Sequence, residues 1–136
     1  VGSTSGMEHV RTSPKLASRL AAIPDRIKRV KEALKTKNLK PLGEVIEEDC
    51  LDMHAVMQSQ SPSLNYFTNE TRQLIDSIRG WRKSGLAVYF TIDAGPNVHL
   101  ICEGKDEENA VNVVKEIQSV KEIIVNKPAK GARLIY

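Results

Sequence analysis

The apolar residues of this 136-residue chain first change their spacing close to Gly85, and that change restricts the fold more than any other feature. Upstream, Leu16, Leu20, Ile23, Ile27, Val30 and Leu34 follow one another at alternating steps of four and three, which puts all six on one face of a helix. Ser13-Pro14 ahead of them reads as a helix start, a hydroxyl to cap free N–H groups followed by a ring already at helical φ. Pro24 lies inside the run and has no N–H to donate, so a kink or the start of a second helix is expected there. After Lys40-Pro41 the face Leu42, Ile46, Cys50, Met53 and Met57 predicts another helix, ending by the polar stretch 59–63. A third is expected from about residue 65 to 83, with Phe67, Leu74, Ile75, Ile78 and Trp81 inward and Gly85 suited to end it in the left-handed region.

Downstream of Gly85 the period shortens. Residues 86–92 and 98–102 are rich in β-branched and aromatic side chains, and Asp93-Ala94-Gly95-Pro96-Asn97 between them has turn composition, which predicts an antiparallel hairpin. Asp106 is placed to cap a helix through about Ser119 with Ala110, Val114 and Ile117 inward, and residues 121–125 and 132–136 read as two more strands. The expected fold class is α+β, a single domain over 1–136 with helices packed on one face of a mainly antiparallel sheet in a ferredoxin-like manner. The helices bearing Leu20, Ile27, Ile46 and Ile78 are expected to cover that face.

Composition narrows the function classes. With 40% hydrophobic and 27% charged residues, the chain can bury a core without disulfides or metal staples. Its longest apolar runs, such as Ile123-Ile124-Val125, fall far short of the roughly twenty residues that span a bilayer, so no membrane partner is expected. Twenty Lys and Arg against seventeen Asp and Glu leave +3, spread rather than gathered, which argues against a nucleic acid partner. The cluster Lys28, Arg29, Lys31, Lys35, Lys37 and Lys40 is interleaved and flanked by Asp25, Glu32, Glu44, Glu47 and Glu48, as on a solvated helix face. Cys50 and Cys102 stand apart in apolar segments, which reads as buried thiols of a reducing, cytoplasmic protein. The opening Val-Gly-Ser-Thr-Ser-Gly has neither an initiator Met nor a signal pattern, and is expected to be an internal cut in a longer protein.

Few residues offer chemistry. Asp93 ends an apolar strand and precedes Ala-Gly-Pro, so backbone can come close to a ligand and the carboxylate can accept a proton from a hydroxyl. The same spacing also suits a plain Asx turn, with the carboxylate bonding N–H groups two residues on, and spacing alone favours that. Residues 1–7 are small and hydroxyl-rich and could bring donors to a phosphate, but no Lys-Ser/Thr follows the glycines, so this is no Walker motif. His9, His54 and His99 lie far from one another and no metal spacing is present; His54 reads as a packed histidine, and Met53 and Met57 as core.

Taken in order, Gly2-Ser3-Thr4-Ser5-Gly6-Met7 with Thr12-Ser13-Pro14, Met53-His54-Ala55, and Tyr89-Phe90-Thr91-Ile92-Asp93-Ala94-Gly95-Pro96-Asn97 resemble the C-terminal half of the diphosphomevalonate decarboxylases, members of the GHMP kinase superfamily. The resemblance runs from residue 1 to about 126 and reverses the reading of Asp93. It implies an enzyme that uses ATP and Mg²⁺ to phosphorylate the tertiary 3-hydroxyl of mevalonate 5-diphosphate, and then releases phosphate and CO₂ to give isopentenyl diphosphate. It also implies that Asp93 is the catalytic acid, that Ser3, Thr4, Met7 and Gly95 belong to the substrate site, and that His54 is structural. Many bacterial relatives carry Arg at the position of Thr4, where it pairs with the diphosphate; a hydroxyl is a weaker partner, which leaves phosphomevalonate decarboxylation as an alternative. No Gly/Ser-rich phosphate loop is present in these residues, so the resemblance assigns ATP and Mg²⁺ mainly to an N-terminal half as partner, and it is compatible with a homodimer. A non-catalytic α+β binding module is the alternative from a different class.

Overall fold

The structure, a computed structural model, describes residues 8–131. A short 3-10 turn at Val10–Thr12 leads into helix α1 (Leu16–Lys35), followed by α2 (Leu39–Ser59) and α3 (Asn69–Lys83). Strands β1 (Val88–Thr91) and β2 (His99–Cys102) come next, then a 3-10 turn at Gly104–Asp106 and helix α4 (Glu107–Lys115). The expected hairpin is present: β1 and β2 pair antiparallel, from Val88 opposite Cys102 to Thr91 opposite His99. This α+β arrangement of helices with a small antiparallel sheet is the expected class. No helix among the described residues is long and apolar enough to cross a membrane.

The core forms where α2 and α3 meet β1. Val88, Phe90 and Ile92 alternate along the chain, so they share one face, and they pack with Cys50, Phe67, Ile75 and Ile78. Tyr89 points the other way and lies over Gly43 of α2; a Cβ there would fall 2.0 Å from the ring, so only glycine lets the two elements approach. The α3 terminus follows the sequence expectation, with Gly85 at φ +99°. Its start is later than expected, at Asn69, because Thr68 and Thr71 form a reciprocal cap that satisfies the free N–H groups there.

Other expectations are corrected. Helix α1 starts at Leu16, two residues past Pro14, and Ser13 is buried, accepting from the Lys15 N–H at 3.1 Å and pairing with Ser59 Oγ at 2.8 Å. It runs through Pro24 without a second helix beginning there. Pro24 is exposed, and arginines on both sides of it anchor the helix to α2. The apolar seam of α1 does not face inward as a unit: Leu20, Ile27 and Leu34 are 56%, 49% and 58% exposed, while Arg26 and Ala33 are buried against α2. Residues 121–125 form no strand; Ile124 and Val125 are exposed, and the described residues offer no third strand for a ladder. The strand expected over 132–136 lies outside the described residues. Asp106 occupies the cap position of α4 without a side-chain cap bond, and α4 ends at Lys115 rather than near Ser119. Cys50 is buried as expected, whereas Cys102 is only partly so.

Candidate active site

The hairpin ladder ends at Thr91, and one residue further the chain delivers Asp93 to solvent from Ile92, which is 1% exposed. The N–H and C=O groups of residues 88, 90 and 92 point away from β2, so they need partners other than a strand. Helix α2 lies along that edge and supplies them at helical spacing, with Glu47, Cys50 and His54 all buried. Glu47 Oε1 accepts from the Phe90 N–H at 3.2 Å. Cys50 Sγ accepts from the Ile92 N–H at 3.3 Å and donates to the Ile92 carbonyl at 3.5 Å.

His54 Nε2 lies 3.0 Å from the same carbonyl oxygen, which can only accept, so Nε2 carries the proton. Burial pushes the imidazole below its ordinary range, although the Ile92 and Asp93 backbone and the Asp93 charge work the other way. Phe67 packs against the ring at 4.2 Å between centroids and Tyr66 meets it edge-on at 6.1 Å. Nδ1 is buried with no hydrogen-bond partner among the described residues. Burial likewise pushes the Cys50 thiol up, so the sulfur is a packed, neutral hydrogen-bonding group rather than a nucleophile.

Arg82 of α3 braces the same edge. It grips Glu47 with two bonds of 2.7 and 3.0 Å, donates to the Val88 carbonyl at 2.9 Å, and covers the Tyr89 ring at 4.5 Å. Beyond Asp93, Gly95 has φ +114°, a conformation that favours glycine. A Cβ on it would stand 3.4 Å from the Tyr66 carbonyl, so the turn rests against the segment that also holds the His54 ring.

The structure therefore places Asp93 and Gly95 at one hairpin end, with Asp93 exposed on a buried support. Ser3, Thr4 and Met7 lie outside the described residues. Sequence reading identified His54 and Cys50 as packed residues but missed their bonds to Ile92. The available signal was the set Glu47, Cys50 and His54, which recur at steps of three and four on one side of α2.

The family described as "Mevalonate 5-diphosphate decarboxylase C-terminal domain" matches residues 1–133. The diphosphomevalonate decarboxylase of Danio rerio is 33% identical over 101 residues, covering 71% of this chain and 25% of that protein. That of Debaryomyces hansenii is 28% identical over 116 residues, covering 82% of this chain and 30% of that protein. Among solved structures, the mevalonate diphosphate decarboxylase of Enterococcus faecalis, in which mevalonate diphosphate mediates ATP binding, matches with a TM-score of 0.83 and 34% identity, over 87% of this chain and 37% of that one. A similar structure at 32% identity and TM-score 0.83, covering 88% of this chain and 37% of that one, is a complex with MVAPP, AMPPCP and magnesium. The chain thus spans less than two-fifths of the length of these relatives. One family description accounts for nearly every residue and the α+β fold agrees with it, so the chain belongs to the mevalonate 5-diphosphate decarboxylase C-terminal domain family.

Proposed function

We propose that this chain is the part of an ATP-dependent carboxy-lyase that presents Asp93 to the 3-hydroxyl of mevalonate 5-diphosphate, in the route to isopentenyl diphosphate. The observation that carries this reading is an acid standing exposed on a buried, hydrogen-bonded strand end, beside an exposed turn of small residues. A carboxylate there accepts the hydroxyl proton as the oxygen takes the terminal phosphoryl group of ATP. Asp93 is exposed, so that proton can pass to water, and the restored carboxylate charge favours the positive charge that grows at C3 as the new phosphate leaves. The bonding electrons released with CO₂ then form the double bond.

In this reading Gly95 keeps the turn close to the substrate, while Ser3, Thr4 and Met7 line its diphosphate and chain. Among the described residues no group of three His, Cys, Asp or Glu is arranged to hold a metal ion. In this reading the nucleotide and Mg²⁺ are bound mainly by the remaining part of the enzyme, its intramolecular partner, in the cytoplasm.

The test is Asp93→Asn in the intact enzyme. Asn is nearly isosteric, so folding and KM are expected to stay close to normal while turnover falls at least about a hundredfold. Near-normal turnover in a normally folded variant would return Asp93 to the role of a turn residue.

A further inference from the structure

We propose that His54 is a positioning residue for Asp93: its Nε2–H holds the Ile92 carbonyl and so sets the peptide plane from which Asp93 departs. The inference rests on the reading of Asp93 as the proton acceptor. The sheet itself cannot do this, because the Ile92 carbonyl points away from β2, toward a side on which the described residues offer no strand. Cys50 also touches Ile92, but sulfur is a weak donor and a weak acceptor, which leaves the imidazole as the strong contact.

Packing alone does not explain a histidine at this position. A leucine or phenylalanine would fill the space between Phe67 and Ile92 without burying a second ring nitrogen, and Nδ1 is buried with no partner among the described residues. An unpartnered buried acceptor is costly, so what a histidine adds at this position is the Nε2–H and the carbonyl it holds. The ring is itself immobilised by Phe67 on its face and Tyr66 at its edge. A Cβ at Gly95 would stand 3.4 Å from the Tyr66 carbonyl, so the turn lies beside the segment that meets the His54 ring. A displacement of about 1 Å at a reacting group is enough to slow chemistry by about a hundredfold, so a small loss of register at Asp93 is visible in turnover.

The experiment compares His54→Leu, His54→Gln, Asp93→Asn and the His54→Leu/Asp93→Asn double variant in the intact enzyme, by melting temperature, single-turnover rate and KM. His54→Leu is expected to lower turnover at least about tenfold with KM changed less than about twofold, the pattern of a contact that matters to the transition state. His54→Gln, whose Nε2 can still donate to the Ile92 carbonyl, is expected to recover most of the rate. In the Asp93→Asn background, His54→Leu should have no further effect, since its only route is through Asp93.

Three results would overturn the proposal: normal turnover per folded molecule in His54→Leu, a His54→Gln variant as slow as His54→Leu, or an equal His54→Leu loss with and without Asp93. If His54→Leu fails to fold, His54→Asn replaces it; its shorter amide does not reach the carbonyl, so it should be slow where Gln is not, and equal rates would refute the role. An inactive Asp93→Asn beside a fully active His54→Leu removes only the positioning role. A fully active Asp93→Asn removes the reading of Asp93 and this inference with it.

Discussion

Helix α2 makes two polar contacts on different sides, and they obey different physics. Toward α1 it offers Glu48, Asp49 and Asp52 to Arg19, Arg26 and Arg29, with contacts from 2.6 to 3.3 Å; Arg26 is buried, but the three carboxylates keep access to water. Toward β1 it offers Glu47, Cys50 and His54, all buried, to a strand edge that no further strand covers among the described residues. The first contact decides which face α1 turns inward; the second closes the edge of β1 and supports the candidate acid. A charge open to water can be rehydrated when its partner is lost, whereas a buried donor or acceptor cannot.

Of the two sides of α2, the larger effect on stability is therefore expected toward β1. Glu47→Ala leaves Arg82 unpaired and the Phe90 N–H without an acceptor, and should cost about 3 kcal/mol in chemical denaturation of the intact protein. A loss below about 1 kcal/mol would mean that water replaces the carboxylate and that the two sides of α2 do not differ. The contact with α1 should give less. Arg26→Leu is expected to cost about 1 kcal/mol at neutral pH, because Glu48 and Asp49 remain partly exposed and keep Arg29 and Arg19.

The α1 contact also predicts a pH dependence. The bond from Arg29, joined by Arg26, holds Glu48 below the ordinary carboxylate range. For Asp49 burial acts upward, but the Arg19 bond and the charges of Arg19 and Arg26 outweigh it and the net shift is downward. Groups lowered on folding add stability that is present above their unfolded pKa and is lost as pH falls through the ordinary carboxylate range and below. An acid titration of the unfolding midpoint should show that loss, and Arg26→Leu should flatten it. An unchanged slope would mean that other carboxylates govern acid unfolding.

The smallest effect is expected on the most regular apolar run of the sequence, the seam of α1. Ile27→Gln, on the exposed seam of α1, should change stability by less than about 0.5 kcal/mol. In contrast, Ile78 is fully buried, and its truncation to Ala is of the class that costs about 2–5 kcal/mol. A loss above about 1 kcal/mol for Ile27→Gln would show that the seam is packed in the intact protein rather than solvated.

Much of this molecule is legible in the order of its residues. The 3.6 period marks α1, α2 and α3, the change near Gly85 marks the hairpin, and the Asp93–Asn97 turn marks the candidate site, because local conformation and side-chain alternation depend on neighbours a few positions apart. What the period cannot state is which face of an amphipathic helix meets its neighbour when a second attraction competes. In α1 the arginines at 19 and 26 meet carboxylates from 22 to 33 residues away, and Leu20 and Ile27 turn outward. In α2 the meaning of Glu47, Cys50 and His54 depends on a strand edge about 40 residues downstream, and only the tertiary structure brings the two together. A backbone group that loses water must find a partner wherever the fold supplies one, and that partner's identity is a matter of distance in space, not of spacing along the chain.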